Sequence, residues 1–412
     1  MFALAMVLVS FLTIPLLSRV KKLGIGGSLV ITAIVMAVLN GFGPTAIWNV
    51  FLDVFRGGSS SLNTVLVVAA VGIMGTLMKE YKMLDKVVEA LTELVSSARL
   101  LFILIPALVG TLTIPGGAIL SAPFVNDLGE KVGMKPEKRA ACNLIFRHVS
   151  VFILPYSSSL LIVSAMLPFQ IYQLILVNLV FAIPMVLIGY FIYLRDIPKK
   201  LPHQRSQRTT GQNIFQLLLY SSPIYACIIV NMITGLPLYA CMLVSILIIF
   251  LLSPKTGFLK LAVSAIGYNS ILAVIGVFMI SGIVQQLPSL IAIFEGMFRS
   301  GTFMLLALVL ASLFFGLITG FQTAPMSIVF PMLLTLSLGK GELLAYTYIV
   351  YVVSFLGYYF SPLHMCQLFT CEYMGVKMNG LYRAYMPYVL AIILWLAISY
   401  TGLRILLPIM MG

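Results

Sequence analysis

The feature that most constrains this chain is a succession of apolar runs that fills it almost from end to end. The runs are about 16–28 residues long, and about 20 apolar residues suffice to span a bilayer. Charged residues make up only 9% of the 412 residues, whereas a soluble domain carries about 25%. The sequence therefore predicts an all-α polytopic membrane protein with no room for a soluble domain of ordinary size.

Charge and cysteine content narrow the possible partners. The net charge of +13 does not indicate a nucleic-acid partner, because the basic residues fall in short loops between apolar runs, as the positive-inside rule requires. The five cysteines, at 142, 227, 241, 366 and 371, show no CxxC or Cys/His ligand spacing. This pattern favours small buried hydrophobic residues over metal ligands or disulfides.

Glycine, proline and charge divide the runs into spans. The first half, residues 1–197, contains predicted spans at 1–18, 26–42, 61–78 and 171–194, a hairpin at about 100–128 and a broken span at about 140–167. The second half, residues 214–412, contains spans at 214–233, 238–252, 261–284 and 383–407, a hairpin at about 302–338 and a broken span at about 343–370. Residues 198–213 are the linker. The N-terminus lacks a basic region and a cleavage site, so we interpret it as a first span.

The distribution of Lys and Arg predicts the topology. We place the linker in the cytoplasm and let each hairpin enter and leave on the same side of the membrane. All but five of the 25 basic residues then lie inside; the exceptions are Arg56, Arg147, Arg299, Lys340 and Arg404. This bias is lost if either hairpin crosses the bilayer. We therefore predict about ten spans plus two re-entrant hairpins in the cell inner (cytoplasmic) membrane, with both termini outside.

The two halves show a common order of elements. A shift of 207 residues places Gly75 on Gly282, Thr113 on Gly320 and Pro155 on Pro362. Each half has three spans, a hairpin, a broken span and a final span. Five crossings are an odd number, so the second half must be inverted, which is the plan of many secondary transporters.

The irregular segments predict a binding site at mid-membrane. Irregular backbone is tolerated there only where protein or a wet cavity surrounds it. The bends "TLTIPGG" and "TGFQTAP", together with breaks at Pro155 and Pro362, would supply free carbonyls and hydroxyls for Na⁺ and helix N-termini for an anion. The substrate candidates are Thr111, Thr113, Gly116, Gly117, Arg147, Ser157, Ser158, Gln322, Thr323, Ser361 and His364. The coupling-ion candidates are Thr113, Ser150, Ser157, Thr323, Ser354 and Ser361.

Single charged and titratable residues leave alternatives open. Arg147 lies within a span, where an arginine is a functional candidate; it could bind an anion, pair with Asp127 or Glu130, or extend to the inner surface. His148 and His364 could carry a coupling proton or be satisfied core residues. By this assignment no acidic residue lies well inside a span, which favours hydroxyl and carbonyl ion ligands over a carboxylate proton relay.

One connecting segment has an amphipathic pattern. Residues 81–99 combine apolar residues at helical spacing with charges. This pattern predicts a helix on the inner membrane surface or a simple connector, with residues 287–299 as its outer counterpart.

The motifs "LTIPGGAILSAPF" and "KRAACNLIFRHVS" resemble a branch, of unknown function, of the ion transporter superfamily that is related to gluconate permeases and dicarboxylate carriers. The resemblance implies an inverted-repeat fold, a homodimer and elevator-type alternating access. Dicarboxylate members of that superfamily carry Ser-Asn-Thr at the hairpin tips and bind Na⁺ there. At the matching positions this chain has the hydroxyls of Thr111, Thr113 and Thr323 and the amide of Gln322, without the Ser-Asn-Thr order.

These observations lead to two hypotheses and make an enzyme the less favoured class. The first is a secondary active transporter of a small organic anion, with carboxylates as the expected class, coupled to Na⁺ or H⁺. The alternative is a cation/proton antiporter on the same fold, with His364 as its titratable group. The chain carries no recognisable motif for nucleophilic or metal catalysis, so we expect no enzyme activity and no cofactor beyond Na⁺ as a candidate coupling ion. The expected partners are a small anionic solute, the lipid bilayer and a second copy of the chain.

Overall fold

The computed structural model describes residues 2–17, 20, 23–112, 117–198, 208–254, 256–288, 292, 301–334, 336 and 338–411. Within those residues the regular secondary structure is entirely helical. The helices are α1 (Phe2–Phe11), α2 (Thr13–Leu17), α3 (Gly24–Leu39), α4 (Pro44–Val54), α5 (Ser60–Glu80), α6 (Met83–Leu94), α7 (Ala98–Gly110), α8 (Ala118–Lys131), α9 (Pro136–Arg147), α10 (Ser150–Ile153), α11 (Ser158–Met166), α12 (Ile171–Gly189, extended by a π-helical turn Tyr190–Leu194), α13 (Thr210–Thr234), α14 (Leu238–Leu252), α15 (Phe258–Ser264), α16 (Tyr268–Gln285), α17 (Gly301–Thr319), α18 (Thr323–Leu334), α19 (Lys340–Tyr359), α20 (Met365–Met374) and α21 (Met378–Met411).

Seven helical segments of the described chain are long and apolar enough to cross a bilayer: α5, the segment Pro136–Met166, α12 with its π-helical turn, α13, α16, α19 and α21. Shorter apolar helices are α3, α7, α14, the part of α17 from Met304 and α18. The prediction of an all-helical chain is confirmed, and these helices indicate a membrane-embedded protein.

Both helices that contain a predicted break are interrupted at the expected prolines. The first leaves the α-helix briefly at residues 148–149, stops again at residues 154–157, around Pro155, and resumes as α11. The second ends at Tyr359, passes Pro362 in residues 360–364 and resumes as α20. Proline lacks the amide hydrogen that a helix needs and clashes with the preceding turn, so both interruptions follow from the local sequence.

The two predicted hairpins are pairs of helices packed against each other. Helix α7 packs on α8, and α17 packs on α18. The first bend covers residues 111–117, of which 113–116, including the candidates Thr113 and Gly116, lie outside the described residues. The second bend contains Gly320 at φ +62°, a left-handed conformation that glycine adopts without strain.

Two helix crossings join the halves in corresponding positions. Helix α3 packs along α16, and α14 packs along α5. At the α3–α16 crossing, a Cβ on Gly276 would lie 2.8 Å from backbone atoms of Leu29 and Val30. The Asn269 side chain accepts a hydrogen bond of 2.7 Å from the Gly26 amide, so it satisfies an amide at the start of α3. Small residues permit such close approach of membrane helices.

The hairpins and broken helices also pair across the halves. Helix α8 of the first hairpin packs on α20, the second part of the second broken helix. Helix α18 of the second hairpin packs on α11, the second part of the first broken helix. Each hairpin therefore contacts the broken helix of its own half and that of the other half.

The buried apolar residues form two cores. The first core comprises residues of the hairpins, the broken helices, α12 and α21. The second core comprises residues of α1–α5 and α13–α16. Helices α6, α11, α17 and α18 each contribute some buried residues to the first core and others to the second. These four helices therefore join the two cores.

The structure departs from the predicted segments in three places. The first predicted span ends as α1 at Phe11 and continues as the separate helix α2; the Thr13 hydroxyl donates to the Ser10 carbonyl at this junction. The predicted span 261–284 is two helices, because residues 265–267 leave the helix before α16 begins. Helix α4, which begins at Pro44, was not predicted.

The amphipathic segment is a helix, but lipid does not cover its apolar face. The apolar side chains of α6 are buried, and the helix packs on α13. The Lys86 ammonium lies 4.2 Å from the centroid of the Tyr220 ring and donates to its hydroxyl at 3.0 Å. Packing within the protein therefore accounts for the apolar pattern of this helix, as expected of a connector. Its predicted outer counterpart lies almost entirely outside the described residues.

Candidate functional site

A group of polar residues collects where the two broken helices meet. We call Arg147, His148, Tyr358, His364 and Cys366 the arginine cluster. Arg147 is the last residue of α9 and His148 follows it; Tyr358 lies in the last turn of α19; His364 and Cys366 lie at the start of α20. Four of the five are buried, and Tyr358 is half-buried. The interruptions of the helices thus bring residues of both halves together.

The Arg147 guanidinium is only partly satisfied. Its Nη2 donates to the Leu112 carbonyl at 3.3 Å, next to the first hairpin bend. Its Nη1 has no hydrogen-bond partner among the described residues. The guanidinium also lies close to Tyr358 and Cys366. The arginine therefore faces the cluster with at least one free donor group.

Neither carboxylate considered as a partner of Arg147 pairs with it. Asp127 pairs with Lys131 at 2.8 Å, and Glu130 pairs with Arg139 at 2.8 Å. Arg147 is only 5% exposed, so it does not extend to the membrane surface either. Of the three alternatives for this residue, anion binding is the one that the contacts leave open.

The two histidines face each other with fixed orientations. His148 Nδ1 lies 2.7 Å from the Leu144 carbonyl, and His364 Nδ1 lies 3.2 Å from the Tyr359 carbonyl. Each Nδ1 must therefore carry a proton and donate it, which leaves each Nε2 as an acceptor in the neutral ring. The ring centroids are 4.9 Å apart. His364 Nε2 has no hydrogen-bond partner within the described residues, and His148 Nε2 lies 3.4 Å from the Tyr358 hydroxyl.

A second polar group joins α11 to the bend of the second hairpin. We call Ser157, Ser159, Gln322 and Tyr351 the glutamine cluster. Ser159 donates to the Gln322 side-chain oxygen at 2.9 Å, and the Tyr351 hydroxyl lies close to Ser157, Ser159 and Gln322. The amide nitrogen of Gln322 and the hydroxyl of the adjacent Thr323 are buried without a partner in the described part of the chain.

The candidate residues of the predicted site gather in two neighbouring clusters. Tyr351 and Tyr358 are seven residues apart on α19, which at 1.5 Å per residue is about 10 Å. Both clusters lie between a hairpin and a broken helix of the opposite half. A solute of a few ångströms could contact one cluster while an ion occupied the other.

Four further candidates are hydroxyl residues that differ in their hydrogen bonds. Thr111 and Ser150 use their hydroxyls on carbonyls of their own turns, Leu108 and Arg147. Ser361 donates to the Leu317 carbonyl at 2.6 Å, so it ties the second break to the second hairpin. The Ser354 hydroxyl is buried without a partner in the described chain.

Two further candidates lie at helix starts. Gly117 immediately precedes α8 and is buried, and Ser158 begins α11 and is half-buried. Their backbone amides are among those that a helix leaves without an internal partner.

Several contributors were not among the candidates derived from the sequence, including Ser159 and Tyr351 of the glutamine cluster. Tyr358 and Cys366 complete the arginine cluster, although Cys366 stands only two residues after His364. Asn143 is fully buried: its oxygen accepts from Ser121 at 2.7 Å, and its nitrogen donates to the Ala118 carbonyl and the Thr370 hydroxyl, each at 3.1 Å. This amide connects the first hairpin, the first broken helix and α20.

A family model described as "Protein of unknown function (DUF401)" matches residues 3–401. The chain belongs to this family. The match spans both hairpins, both broken helices and both clusters, so the DUF401 model describes the whole arrangement rather than one half. No curated protein matches the chain.

The chemistry available to this DUF401 chain follows from the polar groups of the two clusters. The arginine cluster offers a buried cation with an unused donor, two neutral imidazole nitrogens, a phenol and a thiol. The glutamine cluster and Thr323 offer amide and hydroxyl groups. By contrast, a cleft of about 330 Å³ between α1, α17 and α18 is lined only by apolar side chains, such as Leu308 and Phe314, and offers no group that could recognise a charged solute.

Proposed function

We propose that this protein is a secondary active transporter that moves a small organic anion, with carboxylates as the class, across the cytoplasmic membrane, coupled to Na⁺ or H⁺. The observation that carries the proposal is Arg147, a buried guanidinium with a free Nη1 and no carboxylate partner in the described chain. Burying an unpaired charge costs several kcal/mol or more. A carboxylate that enters the cluster would offset this cost and accept hydrogen bonds from both guanidinium nitrogens.

The fold supports transport rather than static binding. The cross-pairing of hairpins and broken helices is what an inverted repeat would give, and many transporters bind substrate at such a repeat interface. The resemblance to the ion transporter superfamily implies that both hairpins are re-entrant and that the protein is a homodimer. The division into two cores fits an elevator in which the hairpins, the broken helices, α12 and α21 move together against the helices of the second core.

The coupling ion has candidate ligands of two kinds. The buried hydroxyls of Ser354 and Thr323, which have no partner within the described residues, are hard oxygen donors that suit Na⁺. The imidazoles of His148 and His364 could instead accept a coupling proton. A dependence of uptake on Na⁺ at constant pH would select the first set.

The test begins with a thermal-shift screen of the detergent-purified protein. Small mono- and dicarboxylates, sugar acids and inorganic anions are each tested with Na⁺ and with K⁺. A ligand that binds the folded state raises the melting temperature by mass action. An anion whose stabilising effect requires Na⁺ identifies both the substrate class and the coupling ion.

The anion identified in this way is then tested for uptake into proteoliposomes. We expect Arg147→Ala to abolish uptake. Arg147→Lys should reduce it about 10- to 150-fold, because one charge-assisted hydrogen bond of about 1.5–3 kcal/mol is lost. Arg404→Ala, at an exposed arginine of α21, is the matched control and should transport normally. Unchanged uptake by Arg147→Ala would refute the role of this residue.

A cation/proton antiporter is the second candidate, and the facing imidazoles favour it. Two buried titratable rings 4.9 Å apart could bind and release protons in exchange for a cation. This candidate predicts Na⁺-driven proton movement in proteoliposomes without any organic anion, and its loss in His364→Gln. The absence of such exchange between about pH 5 and 9, on both sides of the ordinary histidine pKa, would eliminate it.

A further inference from the structure

We propose that His148, His364 and Cys366 form a binding site for a borderline-soft divalent cation of the Zn²⁺ class, and that the ion bridges the two broken helices. This site goes beyond the proposed transport function and does not depend on it. The nitrogen and sulfur ligand atoms of the three residues all lie within 4.8 Å of one another, and all three residues are buried.

The first argument is the orientation of the imidazoles. Histidines that bind metal usually donate the second ring N–H to a backbone carbonyl or a carboxylate, which fixes the tautomer and the direction of the ring. Both rings do this here: Nδ1 of His148 contacts the Leu144 carbonyl, and Nδ1 of His364 contacts the Tyr359 carbonyl. The Nε2 lone pair of His364 is therefore available to an ion, and that of His148 becomes available once the Tyr358 hydroxyl, 3.4 Å away, turns aside.

The second argument is the unused nitrogen of His364. Its Nε2 is buried and has no hydrogen-bond partner among the described residues. A buried polar atom left without a partner costs about 1–3 kcal/mol. A metal–nitrogen bond would remove this cost, whereas the interpretation as a satisfied core histidine leaves it in place.

The third argument is the identity and spacing of the donors. Bond lengths of about 2.0–2.1 Å to nitrogen and 2.3 Å to sulfur place two nitrogens and one sulfur of a tetrahedral site about 3.3–3.6 Å apart. The observed limit of 4.8 Å therefore requires the side chains to close by roughly 1 Å. Thiolate and imidazole together suit Zn²⁺ and its neighbours, whereas Na⁺, Ca²⁺ and Mg²⁺ prefer oxygen.

The neighbouring groups give the occupied site a net positive charge. Binding a divalent ion requires the thiolate, so the Cys366 proton is released to solvent. Thiolate and ion together carry one positive charge, and Arg147 beside them carries another. A fourth coordination position remains for water, hydroxide or a small anion, as in sites with three protein ligands.

The experiment uses Co²⁺ as the probe, because tetrahedral Co²⁺ with a thiolate ligand gives visible d–d bands and a near-ultraviolet charge-transfer band. The full-length protein is purified in detergent without a polyhistidine tag and stripped with a chelator. Titration is expected to give both bands with an endpoint of one Co²⁺ per chain, and Zn²⁺ should displace them. The titration is done without organic anion or gradient, so its outcome is independent of transport.

Variants assign the ligands. Cys366→Ser should abolish the charge-transfer band, and the matched control Cys371→Ser, one and a half turns further along α20, should retain it. His364→Gln should weaken Co²⁺ binding about tenfold or more. Gel filtration and the melting temperature establish that each variant is folded. A wild-type protein without the bands, or a folded Cys366→Ser variant that keeps the charge-transfer band, would overturn the proposal; the wild-type result alone is decisive if a variant fails to fold.

Discussion

Two buried nitrogen-bearing side chains, one turn apart on α9, differ in how well they are satisfied. The Asn143 amide uses its oxygen and its nitrogen in three hydrogen bonds to Ser121, Ala118 and Thr370. The Arg147 guanidinium donates one hydrogen bond within the described chain, to the Leu112 carbonyl, and keeps Nη1 free. Complete satisfaction is typical of a structural group, whereas an unpaired buried donor requires an explanation. We therefore assign Asn143 to assembly and Arg147 to ligand binding.

The structural role of Asn143 can be tested by truncation. Asn143→Ala leaves the Ser121 and Thr370 hydroxyls without this partner and should destabilise the protein by about 1–3 kcal/mol. We expect a lower melting temperature in detergent, measured by differential scanning fluorimetry. Asn49→Ala, at an exposed position of α4, should change stability by less than about 0.5 kcal/mol. Equal melting temperatures for the two variants would contradict the assignment.

At the level of helices, glycines set how closely the hairpins approach the broken helices. A Cβ on Gly110 would collide with the Arg147 carbonyl, and a Cβ on Gly316 would lie 2.9 Å from the Tyr358 amide nitrogen. Each contact joins the first helix of a hairpin to the first part of the broken helix in the same half. The same close packing therefore occurs twice, next to residues of the arginine cluster.

A methyl group should disturb this packing. Gly316→Ala places Cβ against backbone, which cannot move aside as a side chain could, and overpacking of this kind costs about 1–3 kcal/mol. We expect a lower melting temperature. The matched control is Gly402→Ala in α21, where a Cβ would meet no atom within 4 Å. Alanine there should stabilise the helix by about 0.5–1 kcal/mol. A stabilising Gly316→Ala would show that the helices separate more easily than the contact implies.

Local chemistry decided which helices could be predicted. The breaks at Pro155 and Pro362 follow from one residue each, and Leu238–Leu252 is found with its predicted bounds. The division of α15 from α16 was missed, although Gly267, a non-helical residue directly before α16, was a local signal for it. The apolar face of α6 was visible in the sequence, but periodicity does not tell whether lipid or another helix covers it.

The candidate site shows the same limit. Arg147 and His364 were found because a charge or a histidine within an apolar run is conspicuous. Cys366 was missed, because a cysteine in an apolar run has the composition of an ordinary core residue. The spacing His364-x-Cys366 was the available signal, but its meaning depends on His148, which comes from the other half of the chain.

At the level of the whole molecule, the predicted inversion can be tested by labelling. All five native cysteines are buried, so an introduced surface cysteine should dominate the reaction with a membrane-impermeant maleimide. The topology predicted from the sequence places Arg56 outside and Thr256 inside. Both residues are exposed. In intact cells Arg56→Cys should be labelled, whereas Thr256→Cys should require permeabilisation. Labelling of both from outside would rule out the inverted arrangement.

The division into two cores has a consequence for cooperativity. A chain whose buried residues separate into two sets, joined through α6, α11, α17 and α18, contains two units that can lose their packing at different temperatures. Cys366 and the aromatic residues around the arginine cluster belong to the first core. A ligand bound there stabilises that unit directly and leaves the other unit nearly unchanged. Its thermal signature would then be the separation of one melting transition into two.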